Sequence, residues 1–326
     1  MINYDPSNRL QVILSYQGTV FPSLLPYIIG ILIWTSGLIL INEYTAQFTG
    51  DNIGYISKIN LGSHMHTFLG AALVFLLVMR TNSSYDRFWE GRKQLGALEF
   101  AARNLAVKAN SVIPMDEKGF RSEVSSLIGA FVLSVKEHLR GGVTPKELKG
   151  LSSANIEEMG NYTSPINGII NILSLRLHSC IERKWMHSPE YGSFNASLDD
   201  LQAVLRALDR IRYTPLPFAY ANQLKVFMLI YLSTLPLVLI PNFHFYTIIP
   251  MFFAVYALVG MEEIGIEIED PFGDDPNDLP IEEICQGTRR DVSEILGTGL
   301  MKEIPPRHLN KVRVLRDYIK RLKRRI

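Results

Sequence analysis

The chain has 326 residues, with 33 Lys and Arg against 32 Asp and Glu, for a formal net charge of +1. That balance says nothing for or against nucleic acid. A mean hydropathy of +0.11 argues against an ordinary soluble enzyme and against a disordered chain. Two cysteines, Cys180 and Cys285, are too few for a disulfide framework and suit a reducing compartment or plain core packing. The N-terminus shows no basic n-region and no small-residue cleavage site, so no signal peptide is read there.

Charge is unevenly distributed, and residues 21–42 and 226–261 contain no Asp, Glu, Lys or Arg. At 1.5 Å rise per residue, 21–42 is long enough to cross a hydrocarbon core of about 30 Å. Pro22 and Pro26 suit its first turns, where a missing N–H matters little. The next apolar run, 63–79, is short for a lipid-facing span and could also be a buried soluble helix. Helices shielded inside a bundle can be shorter and more polar, and a second span is expected here. His64 and His66 within it read as interfacial polar residues rather than metal ligands, since a spacing of two puts them on different helix faces.

Residues 81–225 are too long for a loop. They read as helices over about 81–112, 115–140, 165–185 and 197–212, with 146–164 a weak region. Leu198, Leu201, Val204, Leu205 and Leu208 recur at helical spacing, and Asn195, Ser197 and Asp199 offer caps before them. The block 226–261 is too long for one crossing. Pro241-Asn242 divides it into spans of about 226–240 and 245–261, joined by a tight turn.

Four spans put both termini on one side. The positive-inside rule places them in the cytoplasm: Arg80, Arg87, Arg92 and Lys93 follow the second span and the C-terminal tail is basic. Residues 262–283 hold ten acids and no base, whereas 307–326 hold nine bases and one acid, Asp317. Each is either a solvated helix face or, for the tail, a contact with anionic head groups. A multi-spanning layout argues against nucleic acid as a partner.

No phosphate-cradling Gly loop, H-E-x-x-H or paired C-x-x-C occurs, and no Ser/His/Asp order stands out, so an enzyme is not expected. The spans hold no ionisable group of the kind a proton-coupled carrier uses. A passive pathway or a scaffold is favoured.

Three segments now point to one family. Arg80–Arg92 reads RTNSSYDRFWEGR directly after the second span; Thr214–Tyr220 reads TPLPFAY directly before the third; Glu269–Pro280 reads EDPFGDDPNDLP directly after the fourth. Over about residues 15–295 the chain resembles the bestrophins, in the compact form found in bacteria and related to plant and fungal members. The resemblance implies an all-α membrane protein with four transmembrane helices per subunit and a cytosolic helical domain. It implies a homopentamer around one central pore. Residues 1–295 form a single channel domain on this reading, with cytosolic helices in 81–225 and 262–295 and a basic tail at 296–326 outside it.

It further implies that the second span lines a narrow apolar neck, with Ala71, Phe75 and Met79 facing the pore. Their i, i+4, i+8 spacing puts them on one helix face, and five copies would form rings able to gate by dewetting. Without the resemblance, a Phe and Met stripe reads as ordinary packing. Ala71 is smaller than the family's usual residue, which leaves the gate to Phe75 and to the more flexible Met79. A second constriction, at the cytosolic exit, falls on Pro189 with Glu190 beside it. A Glu190 ring would favour cations, and an ordinary loop acid is the alternative.

Animal members bind calcium in an acidic clasp, which here corresponds to Asp270, Asp275 and Asp278, with Asp274 nearby. The alternative for Asp278 is a helix cap. Pro276 and Asn277 thin this run, bacterial members do without calcium, and no cofactor is required. Glu269 and Asp270 are expected to pair with Arg80, Arg87 or Arg92, and Tyr220 to pack and hydrogen-bond at the start of the third span.

The function implied is a passive channel for chloride and similar monovalent anions, with the bilayer and identical subunits as partners. A cation channel of the same fold and a non-conducting scaffold are the alternatives. A bacterial inner membrane, a plasma membrane and a thylakoid membrane all fit.

Overall fold

The structure is a computed structural model that describes residues 18–49, 54–59, 63–142 and 151–299. The basic stretch 307–326 lies outside the described residues. The order is α1 (Phe21–Thr49), α2 (Tyr55–Lys58), α3 (Ser63–Val112), α4 (Lys118–Leu139), α5 (Ser153–Gly160), α6 (Pro165–Glu182), α7 (Tyr191–Tyr213), α8 (Phe218–Phe243), α9 (Ile248–Glu269) and α10 (Ile281–Ile295). Short 3-10 turns at Ser188–Glu190 and His244–Thr247 precede α7 and α9. There is no strand among the described residues. Among the described residues, three helical stretches are long and apolar enough to cross a membrane: Phe21–Phe48, Ser63–Val112 and Ser188–Glu269, the last containing both α8 and α9.

Several boundaries differ from the sequence reading, for identifiable reasons. The second span and the helix expected after it, 81–112, are one helix, α3. The polar run at 80–84 does not break it, because its hydroxyls turn back onto the helix. Thr81 Oγ1 donates to Leu77 O at 2.9 Å, and Ser83 Oγ donates to Met79 O at 3.0 Å. The break expected at Pro241 comes later. α8 runs through Pro236 and Pro241 to Phe243 and stops at His244, whose φ is 48°. The tight turn is therefore a 3-10 turn, one residue run later than the proline. α5 lies in the stretch read as weak. α7 starts at Tyr191, ahead of all three cap residues proposed for it.

The chain separates into two compact units, Met1–Gly96 with Arg206–Pro280 and Ala97–Leu205 with Ile281–Ile326. The first unit is built on α1, α8, α9 and the N-terminal part of α3. Its core joins Leu24 and Ile28 of α1, Leu73 and Leu77 of α3, Leu224, Met228 and Leu232 of α8, and Val255 and Val259 of α9. A smaller cluster of Leu38, Ile39, Ile56 and Ile240 fixes α2 against α1 and α8. The buried Asn42 accepts from the Ser57 amide at 2.9 Å there. A Cβ on Gly54 would fall 2.0 Å from Asn42 O, so only glycine allows this approach. The indole of Trp34 donates to Ser233 O at 3.0 Å, close to the proline-disturbed turn of α8.

In the second unit α4 is the central element, with α6 and α10 packed on it. It buries Val124, Leu127, Ile128, Phe131, Val132 and Val135 at helical spacing. The buried Arg121 donates through Nε to Leu296 O at 2.9 Å and through Nη1 to Ile113 O at 2.7 Å, placing a cation on carbonyls just past two helix ends. Lys136 bridges Glu137 and Glu282, each at 2.7 Å. Burial opposes the charge on both Lys136 and Glu282, but their mutual contacts prevail. Lys136 is held above its usual range and Glu282 below its own.

Candidate functional site

The apolar N-terminal part of α3 has two unlike faces. At about 100° per residue, His66, Leu73, Leu77, Arg80, Ser84 and Gly91 share one side, and all are buried. Ala71, Phe75 and Met79 lie on the opposite side and are exposed, Phe75 by 63% and Met79 by 50%. Phe68, one turn earlier, is 72% exposed on the same side. An exposed, bulky, apolar stripe backed by a packed face is what a helix needs if it meets something other than its own subunit.

The packed face is held by polar contacts as well as by leucines. His66 stacks on Tyr231 with ring centroids 5.0 Å apart, and its Nε2 lies 3.3 Å from Thr234 Oγ1. It is thus a packing residue buried within the subunit. Tyr220 donates to Leu76 O at 3.1 Å, which is the structural role expected of it.

The expected ion pair between Arg80 and Glu269 is present, and Glu262 adds a shorter one. Arg80, 2% exposed, donates through Nη1 to Glu262 Oε1 at 2.7 Å, while Glu269 is more distant at 3.6 Å. Lys225 also approaches Glu262, at 3.6 Å. Arg87 does not use a carboxylate: its Nε donates to Glu269 O at 3.2 Å, its Nη2 to Ile211 O at 2.7 Å and its Nη1 to Thr214 O. Glu269 accepts from the Leu216 amide at 3.1 Å, and so anchors the TPLPFAY segment. Glu262 was missed because it lies one residue past the uncharged block, where a helical acid reads as interfacial. The available signal was its spacing of seven from Glu269, which places both on one face of α9.

Two of the three aspartates of the acidic clasp, Asp270 and Asp278, have protein partners. Asp270 is paired with Arg212 at 3.1 Å. Asp278 Oδ2 accepts from the Asp275 amide at 2.5 Å, closing the turn that precedes it rather than capping the helix that follows. Calcium takes six to eight oxygens, and among the described residues no group of three acid, His or Cys side chains comes together as a metal ligand set.

Pro189 and Glu190 belong to the second unit. They form the 3-10 turn before α7, and both are exposed. The Glu190 carboxylate accepts from the His187 amide at 2.8 Å, completing a capping box at the start of that turn. The turn follows the C-terminal cap of α6, where Arg183 lies 4.9 Å from the centroids of both Phe120 and Trp185. Lys184 closes the cap in the left-handed region, with φ 60°. Glycine suits that position better, so Lys184→Gly is expected to raise stability by about 0.5–1 kcal/mol, read as an increase in melting temperature. Unchanged or lower stability would mean the lysine side chain makes a compensating contact.

The comparisons agree with this architecture. The family model described as bacterial/fungal bestrophin protein matches residues 1–294. The voltage-dependent anion channel-forming protein alr2987 of Nostoc sp. is 34% identical over 230 residues, 68% of this chain and 74% of that protein. The corresponding Synechocystis protein sll1024 is 28% identical over 309 residues, 93% and 95% of the two chains. Among solved structures, a bacterial bestrophin homologue from Klebsiella pneumoniae superposes with a TM-score of 0.74 at 26% identity, covering 83% of this chain and 97% of that one. With the family model spanning the chain up to the last residue of α10 but one, and the same helical fold in a solved homologue, this chain belongs to the bacterial/fungal bestrophin family.

Proposed function

We propose that the protein is a passive channel for monovalent anions such as chloride, and that it works as a homopentamer around a central pore. Each subunit crosses the bilayer four times, through α1, the apolar part of α3, α8 and α9, with both termini cytoplasmic. The pore neck is lined by Ala71, Phe75 and Met79. The observation that carries this reading is the exposed apolar stripe on α3, set against a fully packed opposite face. Five such stripes around one axis would give a narrow apolar passage that conducts when wetted. The names of the relatives, as anion channel-forming proteins, supply the sign of the ion. Glu190 and Pro189 are proposed to shape the exit constriction. No calcium requirement is proposed, since Asp270 and Asp278 have protein partners.

The test is the reversal potential of the purified protein in a planar bilayer under a KCl gradient, with and without a calcium chelator. A value near the chloride equilibrium potential in both conditions is the expected result. A value near the potassium potential would make the protein a cation channel. No current, even with the neck residues reduced to alanine, would favour a scaffold.

A further inference from the structure

We propose that Asp86 sets the balance between anions and cations in this channel, as a ring of carboxylates just past the neck. The inference rests on the pore reading above. The exposed stripe of α3 does not end at Met79. At about 100° per residue, Asn82, Asp86 and Lys93 all fall within roughly 40° of Phe75 around the helix axis, and all three are exposed. A face that lines the pore at Phe75 and Met79 therefore presents Asp86 to the same pathway two turns later.

Asp86 differs from the other acids of this unit in having no ion pair and no side-chain hydrogen bond among the described residues. Glu262 is held by Arg80, Asp270 by Arg212, and Glu269 by the Leu216 amide. Glu90 is engaged by Gln94 at 2.7 Å and by Lys93 at 3.3 Å. That second contact also offsets the lysine charge on the stripe. Asp86 is left as the uncompensated charge nearest the neck.

Its distance suits the role. Seven residues separate Met79 from Asp86, about 10 Å along the axis, which is close to the Debye length at physiological salt. An ion leaving the neck comes within range of five carboxylates before bulk electrolyte screens them. Apolar rings carry no sign of their own, and rings of like charge are a known means of selecting one. The ring concentrates cations and repels anions, so the wild-type channel is less anion-selective than its neck alone would allow.

The experiment is a reversal-potential series in bilayers at low and high KCl. Asp86→Asn is expected to raise the chloride-to-potassium permeability ratio about threefold at low salt, and Asp86→Lys to raise it further. The difference should shrink toward 1 M KCl. Asp86→Cys gives a second route, because the native thiols are buried, with Cys180 pushed up to about 11 and Cys285 to about 12 by desolvation. Neither should compete for a thiol reagent. An anionic sulfonate reagent on Asp86→Cys should restore the wild-type potential, and a cationic reagent of the same size should move it the other way. Unchanged potentials in all Asp86 variants, while Phe75→Cys and Met79→Cys currents respond to the same reagents, would overturn the Asp86 proposal and leave the neck intact. If none of the three positions affects current, the pore reading itself is wrong.

Discussion

Replacing Phe75 and Met79 together by alanine is expected to increase the macroscopic current by about tenfold or more, without reversing the selectivity between anions and cations. In the proposed pore, Ala71 is already small and offers little obstruction, so the apolar barrier would be concentrated at Phe75 and Met79. A narrow apolar ring excludes ions because wetting it costs free energy, and widening it lowers that cost. Both side chains are exposed in the subunit, so their removal deletes little internal packing and the variant should fold. Single substitutions should separate the two rings. Phe75 is the stiffer side chain, and Phe75→Ala should have the larger effect, because methionine can rotate out of the way. The check is single-channel recording at fixed protein density. Wild-type current in the double variant would show that these residues do not face the ion path.

The second large effect concerns stability. Arg80 and Glu262 form a buried pair at 2.7 Å, each side chain 3% exposed. Removing one partner of such a pair leaves an uncompensated buried charge and costs about 3–5 kcal/mol. Glu262→Leu should reach that range, because it strands Arg80 with only Glu269 at 3.6 Å. Arg80→Met should fall at the lower end, because Lys225 already lies 3.6 Å from Glu262 and can take over part of the pairing. The double variant removes both charges, so its loss should be clearly smaller than the sum of the two. Thermal unfolding of the detergent-solubilised variants measures this, and strictly additive losses would contradict the pairing. Arg80 follows Met79 directly in sequence, so the same pair also positions the end of the exposed α3 stripe.

The family could be read from three motifs because each is long and sits beside an apolar run. Short-range chemistry was legible in part: Tyr220 does hydrogen-bond at the start of α8, whereas Asp278 bonds back to Asp275 instead of capping the helix after it. Helix ends were harder to read. Asparagine and serine after Arg80 signal a boundary in most contexts, yet the helix continues because its hydroxyls return to the carbonyls one turn back. Pro241 signals a break, yet the backbone continues to His244. The burial of His66 was not legible either: its imidazole is polar, but the stack on Tyr231 buries it within the subunit.

By itself the amino-acid sequence determined the helical class, the apolar stretches and the periodic placement of Ala71, Phe75 and Met79, all of which depend on composition and on the 3.6-residue repeat. Only the tertiary structure decided which face of α3 is packed and which is left open. Only it chose Glu262 over Glu269 as the main partner of Arg80, and paired Asp270 with Arg212. Periodicity says which residues share a face. Which face meets a neighbour, and which carboxylate meets which guanidinium, depends on distances between segments 58 residues apart for Arg212 and Asp270 and 182 for Arg80 and Glu262, and those distances exist only once the helices have packed.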